Sequence, residues 1–294
     1  MSGFFKENKA DIVFFSGTGG TRCAADALAT QLTDSGVTVS RHELSIAVRT
    51  KPLCANMLIL LFPVYAMNAP KPVFDFIREA DPAVGTPAAV LSVSAGGEVT
   101  PNKACRYRVI RALEKRGFDV VYEQMLVMPS NFWIPTPKEA AVQLVRVLPN
   151  RTGHIVRDLL FGVRRRTKPG ALDRCCSWIG RVEELGAWRI GSATKVSSGC
   201  NGCGICQNNC PVGNISIVDG RHVFGRKCVL CLKCFYACPQ RALEPGRFRF
   251  IIIEGGFNIS RFLQQASMMT SDARPDLPDN FVWNGVNKYL NDKP

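Results

Sequence analysis

Eight of the chain's thirteen cysteines fall between Cys200 and Cys238, in two equal runs. The first is Cys200-x₂-Cys203-x₂-Cys206-x₃-Cys210-Pro211, and the second is Cys228-x₂-Cys231-x₂-Cys234-x₃-Cys238-Pro239. A secreted disulfide scaffold would be shorter, and its cysteines would be spread along the chain in an even number. Thiols at this density are metal-ligand usage in a reducing compartment, which places the expected location in the cytoplasm. A zinc ribbon also uses Cys-x₂-Cys pairs, but it needs only four cysteines and does not account for two matched runs that each end in Cys-Pro. The other five, Cys23, Cys54, Cys105, Cys175 and Cys176, read as buried or idle thiols, since free cysteine packs as a small hydrophobe. Only the adjacent pair Cys175–Cys176 invites a redox question.

The spacing of the two runs is similar to that of bacterial ferredoxins that carry two [4Fe–4S] clusters. The resemblance implies that three thiolates two residues apart wrap one corner of a cubane, while the fourth is carried away before the proline to the other cluster. One cluster would then use Cys200, Cys203, Cys206 and Cys238, and the other Cys228, Cys231, Cys234 and Cys210. Gly202 and Gly204 would keep the backbone close to the sulfurs and leave N–H donors to tune the potential.

Residues 11–128 alternate between short apolar runs and amphipathic segments. Strands are predicted over Asp11–Phe15, Val37–Glu43, Met57–Pro63, Ala88–Val93 and Val120–Met128. Helices are predicted over Arg22–Asp34, Pro72–Ala80 and Asn102–Arg116, with Gly117 as a C-cap. Met57–Pro63 is apolar on both faces, as a central parallel strand must be. The pattern predicts an α/β fold with a five-stranded, doubly wound parallel sheet. Ligands in such sheets bind outside the carboxyl ends of the strands. The loops there are Ser16–Thr21, Val64–Ala69, Ser94–Thr100 and Pro129–Trp133.

The first loop, Ser16-Gly17-Thr18-Gly19-Gly20-Thr21, joins a strand to a helix. Its glycines let the backbone fold tightly so that N–H groups converge, the helix N-terminus adds a favourable dipole, and three hydroxyls can donate to phosphate oxygens. It has no lysine, which excludes a nucleotide-hydrolase phosphate loop, and Arg22 stands where a dinucleotide fingerprint needs its third glycine. Glu43, near the end of the second strand, keeps a dinucleotide reading open. At Ser16, Thr18, Gly19 and Thr21 the loop resembles the flavodoxin phosphate loop, Ser/Thr-x-Thr-Gly-x-Thr, with Gly20 where flavodoxins often have asparagine. That resemblance implies FMN. Pro63-Val64-Tyr65 and Ser94-Ala95-Gly96-Gly97 would lie against the isoalloxazine ring, and Tyr65 and Trp133 are candidates to stack on it.

Together the two halves resemble the bacterial flavodoxin–ferredoxin fusion proteins, the EFR-type ferrodoxins, from the first strand to Pro239. The expected organisation is a flavodoxin-like FMN domain over 1–163 and a helical connector over 164–192. A small α+β ferredoxin-like domain with two [4Fe–4S] clusters would follow over 193–247, and an extension over 248–294 would pack back on one of the domains. Residues 138–162 read as helical with Pro149 interrupting, Arg247–Ile253 as a strand, and Asn258–Met269 and Trp283–Leu290 as short helices. In the connector, Trp178, Ile179, Val182, Leu185 and Trp188 are expected to bury one face of a helix.

The formal charge of +13 is not taken as a nucleic-acid signature. Two clusters and a flavin phosphate would reduce it to roughly +7. The excess suits an acidic redox partner, such as a ferredoxin or reductase, and Arg164–Lys168 is the densest basic run. No apolar run reaches the length of a membrane span, and no secretory signal is read. His42, His154 and His222 are scattered, with no arrangement for hydrolytic or acid–base catalysis. The leading reading is an electron-transfer iron–sulfur flavoprotein that passes electrons between FMN, two clusters and a protein partner. The alternatives are an FMN-dependent reductase of a quinone-like or aromatic acceptor, and a ferredoxin with a flavin-free docking domain.

Overall fold

A computed structural model describes residues 3–46, 56–269 and 275–292. The first half is a five-stranded, all-parallel sheet of β1 (Lys9–Phe14), β2 (Thr38–Glu43), β3 (Leu58–Pro63), β4 (Pro87–Ser94) and β5 (Asp119–Val127), in the order β2-β1-β3-β4-β5. This is the flavodoxin-like doubly wound order, and the strand sequence reverses between β1 and β3. β3 and β4 are buried on both faces, because helices cover both sides. On one face α1 (Gly20–Asp34) and α4 (Lys138–Leu160) pack over Ile12, Ile59, Leu91 and Leu126. On the other α2 (Lys71–Glu79) and α3 (Tyr107–Lys115) cover Val13, Leu60 and Val90.

Pro149 was expected to interrupt the helix over 138–162, yet α4 runs through it unbroken. A proline inside a helix costs roughly 3 kcal/mol. Val145 and Leu148 before it, and Ile155, Val156 and Leu159 after it, all enter the same core. Each fully buried aliphatic side chain contributes about 1.5–3 kcal/mol, so burial outweighs the missing hydrogen bond.

α5 (Ala171–Ser192) forms where the connector was expected; Trp188 of the expected apolar face is partly buried, but Trp178 and Ile179 are not. Trp178 is 64% exposed and Ile179 50% exposed; the side chains of Val182 and Leu185 lie outside the described set. The docked face is made of small residues instead. A Cβ on Gly180 would lie 1.9 Å from the Ala66 carbonyl oxygen, and one on Gly191 2.4 Å from the Cys228 Cβ. Ser177 donates to Asn68 Oδ1 at 2.8 Å, and Asn68 Nδ2 donates to the Ser177 carbonyl at 2.8 Å. Close backbone approach at Gly180 and Gly191 sets this helix against its neighbours.

The cysteine-rich segment contains two short antiparallel ladders: β6 (Lys195–Val196) with β9 (Leu243–Glu244), and the hairpin of β7 (Ile215–Val218) and β8 (Arg221–Phe224). Asp219-Gly220, both at positive φ, make its two-residue turn. α6 (Ile205–Asn208) and α7 (Lys233–Ala237) each follow one Cys-x₂-Cys turn and pack on each other. The stretch expected as a strand at Arg247–Ile253 is a 3₁₀ helix over Gly246–Ile251. Its alternating Arg-Phe pattern suggested a strand, but the positive φ of Gly246 turns the chain immediately after the two residues of β9.

The tail returns to the first half. In α8 (Ile259–Met268), Asn258 caps the N-terminus by accepting from Ser260 N–H at 2.9 Å. Ile259 enters the α1/α4 core, and α9 (Asn284–Asn291) sets Val286 against Ala140 and Leu144 of α4. No helix of the described residues is long and apolar enough to cross a membrane.

Candidate functional site: a cleft between the sheet edge and the second cysteine run

The carboxyl ends of β1, β3, β4 and β5 open into a cleft of about 390 Å³. Of the residues predicted for it, Ser16, Gly17, Thr18, Gly20, Thr21, Pro63, Val64, Tyr65, Ser94, Ala95 and Gly96 line it. It lies at the switch point where doubly wound sheets hold ligands. The Ser16–Thr21 loop delivers the N-terminus of α1. Gly19 is the N-cap at φ +101°, in the left-handed region that favours glycine, and it turns the chain into the helix. Asn131 Nδ2 donates to Thr18 Oγ1 at 2.6 Å, and Arg22 N–H to Ser16 Oγ at 3.3 Å. Hydroxyls and helix N–H groups are thus gathered without a lysine in the loop, a donor set that fits a phosphate monoester.

Three expected members stand outside the lining. Gly19 backs onto Ile259 of α8, and Gly97 faces the backbone of Gly285 at the start of α9. Trp133, expected to stack on a ring, is 60% exposed. Its backbone is left-handed, its N–H donates to the Ile251 carbonyl at 3.1 Å, and its indole meets Phe250 edge-on at 6.3 Å. Phe132 lines the cleft in its place. Glu43, which kept the dinucleotide reading open, is held by Arg22 in an ion pair and does not line the cleft.

The cleft's other wall was not foreseen. Ala187 of α5, Phe257 ahead of α8, and Val229, Leu230 and Leu232 of the second cysteine run complete it. The contact is close: a Cβ on Gly17 would lie 2.6 Å from the Tyr65 hydroxyl and 2.7 Å from the Cys231 carbonyl oxygen. Burial raises the Tyr65 phenol well above its ordinary pKa, and the neighbouring Cys231 and Cys228 add to the rise. A hydrogen-bonded chain makes a second link. Asn131, bonded to Thr18, accepts through its carbonyl from the Tyr236 hydroxyl at 2.8 Å, and that hydroxyl accepts from Ile253 N–H at 2.9 Å. Tyr236 lies in α7, between Cys234 and Cys238.

Seven of the eight thiols lie near enough to one another to interact, in two groups. Cys210 lies close enough to Cys228, Cys231 and Cys234 to raise the pKa of each, after burial, which is the larger cause. Cys231 is pushed up to about 12. Cys206 is raised by burial and then by Cys238 and Cys200. Backbone N–H groups point at the sulfurs: Asn214 to Cys210 at 3.2 Å, Leu230 to Cys228 at 3.4 Å and Ala242 to Cys238 at 3.3 Å. Clustered neutral thiols with raised pKa values and waiting N–H donors are what a cationic iron core would deprotonate and stabilise. Among the described residues no three side chains of His, Cys, Asp or Glu converge as a single metal ion requires.

The two runs also share their backbone. Gly202 and Gly204 are left-handed, and so are Leu230 and Leu232 at the equivalent positions of the second run. Leucine carries the cost of positive φ there because Leu232 is buried in the small core and both leucines close the cleft. Of the remaining described thiols, Cys105 is buried, Cys23 and Cys176 are partly buried and Cys175 is exposed. Cys54 lies outside the described residues.

No protein-family model matches the chain, and no curated protein matches it in sequence. Solved structures similar to the N-terminal half are flavodoxins. The flavodoxin of Streptococcus pneumonia TIGR4 is 22% identical, with 51% of this chain covering 97% of it at a TM-score of 0.38. Oxidised Flavodoxin 2 from Bacillus cereus is 17% identical, with 50% of this chain covering 96% of it at 0.37. General stress protein 14 from Treponema denticola, in complex with FMN, is 13% identical, with 51% of this chain covering 99% of it at 0.38.

Proposed function

We propose that this chain is an electron-transfer iron–sulfur flavoprotein that couples FMN to two [4Fe–4S] clusters and a protein redox partner. One observation carries the reading: a single cleft is walled by the phosphate-loop glycines on one side and by the loop around Cys231 on the other. FMN exchanges electrons singly or in pairs, whereas each cluster passes one at a time, so the pair can join a two-electron couple to a one-electron carrier.

The residues divide this work. Ser16, Thr18, Thr21 and the N-terminus of α1 bind the flavin phosphate, with Asn131 orienting the Thr18 hydroxyl. Tyr65, Val64, Ser94–Gly96 and Phe132 surround the ring and exclude water from it. Cys228, Cys231, Cys234 and Cys210 hold the cluster beside the cleft, and Cys200, Cys203, Cys206 and Cys238 hold the outer one. α5 fixes the spacing, because Gly180 abuts Ala66 and Gly191 abuts Cys228 along one rigid helix.

The test is rapid mixing of the anaerobic, fully loaded protein with dithionite, following cluster and flavin absorbance in one trace. The reading requires flavin reduction to lag cluster reduction with a rate independent of protein concentration. A rate proportional to protein concentration means that electrons pass between molecules, and the intramolecular coupling fails.

A further inference from the structure

A second cleft, of about 670 Å³, shares Lys71 and Val229 with the first and includes Cys228 in its lining. Its described lining carries six cationic side chains, Lys71, Arg78, Arg108, Arg181, Arg226 and Lys227, against two carboxylates, Asp75 and Glu79. Asp75 is already bridged by Lys71 at 2.5 Å and Arg78 at 2.7 Å. The Arg226 guanidinium sits 5.1 Å from the centre of the Trp188 ring. The walls are fixed: Ile46 N–H donates to the Pro211 carbonyl at 2.8 Å, and Gly191 of α5 presses on Cys228. In the basic run that composition singled out, Arg164–Lys168, two arginines are held in ion pairs. Arg164 pairs with Asp119 at 2.5 Å, and Arg166 with Glu114 at 3.1 Å and Glu123 at 3.5 Å.

We propose that this cationic cleft is the docking site for an acidic redox protein, whose electron enters or leaves through the cluster bound by Cys228. The inference rests on the cluster reading above and adds the partner's chemistry and place. Excess positive charge in a concave, low-dielectric setting focuses the field outward, which steers an acidic partner and aligns it on encounter. With Cys228 in the lining, a partner seated there reaches a cluster ligand directly. Each productive encounter moves one electron: the donor's centre loses one and the chain's cluster gains one, with no bond made or broken.

The experiment uses the fully loaded protein and, as probe, a small acidic bacterial ferredoxin. Binding of the oxidised probe is measured by calorimetry and reduction by the reduced probe by stopped flow, each at low and high salt. Two cleft variants, Arg226→Glu with Lys227→Glu, and Arg181→Glu alone, are compared with Lys115→Glu plus Lys168→Glu, exposed positions in and near the basic run. At low salt the cleft variants should bind and react about tenfold more weakly and slowly, and the control pair within about twofold. High salt should erase the difference. Equal losses in both sets, or none in the cleft variants, would overturn the docking site. So would saturable binding of inorganic pyrophosphate in the cleft that leaves ferredoxin binding untouched. Unmodified protein that takes up no iron sinks the underlying reading instead, an outcome that iron analysis separates from the others.

Discussion

The contact between Gly17 and Cys231 makes a sharp prediction, because one methyl group should disturb two cofactor sites. A Cβ at Gly17 meets the Tyr65 hydroxyl at 2.6 Å, the Cys231 carbonyl oxygen at 2.7 Å and the Cys231 Cβ at 3.1 Å. The Tyr65 side chain can swing away, but the Cys231 backbone cannot move without dragging a residue of the proposed cluster site. Overpacking of this kind costs typically about 1–3 kcal/mol. Taken from the flavin-bound state, that is roughly a 5- to 150-fold loss of FMN affinity. Gly17→Ala should therefore weaken FMN in a fluorescence titration and also shift the electron paramagnetic resonance signal of the reduced cluster held by Cys228, Cys231 and Cys234. Gly153→Ala, in α4 and away from the cleft, is the control: its Cβ meets only the Gln31 side chain, at an ordinary 3.5 Å, and both readouts should stay close to those of the unmodified protein. Unchanged FMN affinity and an unchanged cluster spectrum in Gly17→Ala would refute the shared wall.

Three further outcomes follow from the same geometry. Gly19→Val imposes positive φ on a β-branched residue and sets its Cβ 2.9 Å from Ile259 Cγ2, about 1–3 kcal/mol of strain, so FMN should be lost with both clusters retained; full FMN affinity by fluorescence would move the phosphate out of this loop. Asn131→Ala deletes the 2.6 Å bond to Thr18 while leaving the backbone carbonyl that Tyr236 uses, and the usual worth of such a bond, about 1 kcal/mol, corresponds to roughly fivefold weaker FMN in the same titration. Cys210→Ser should damage the cluster of Cys228, Cys231 and Cys234 and spare the one nearer in sequence; magnetic resonance showing the opposite loss would overturn the crossed ligand sets.

The sheet was legible because its signals are local. Apolar runs such as Leu58–Phe62, buried on both faces, admit only a central parallel strand, and the glycine-rich turn after β1 marks the ligand edge. The Ser16–Thr21 side of the cleft could be read for the same reason. The far wall could not, because it is made by long-range packing. Nothing near Phe257 or Ala187 in sequence points to the cleft. Leu230 and Leu232 carried a readable hint, since they stand at the places of Gly202 and Gly204 in the repeat, but leucine conceals a left-handed backbone that glycine advertises. The connector misled through its aromatics. Trp178 and Ile179 stand four and three residues before Val182, a helical spacing, yet Ser177, Gly180 and Gly191, which look neutral in sequence, are the residues that let α5 approach the loops it clamps. Trp133 was drawn toward the ring by its chemistry and held away from it by the Ile251 and Phe250 contacts.

The central claim, that one chain carries a flavin and two clusters on crossed cysteine sets, is tested most directly by counting cofactors. Protein reconstituted anaerobically with iron, sulfide and FMN, then freed of excess, should contain about eight iron, eight sulfide and one flavin per chain. A preparation that retains only zinc, or that binds iron without acid-labile sulfide, would contradict it.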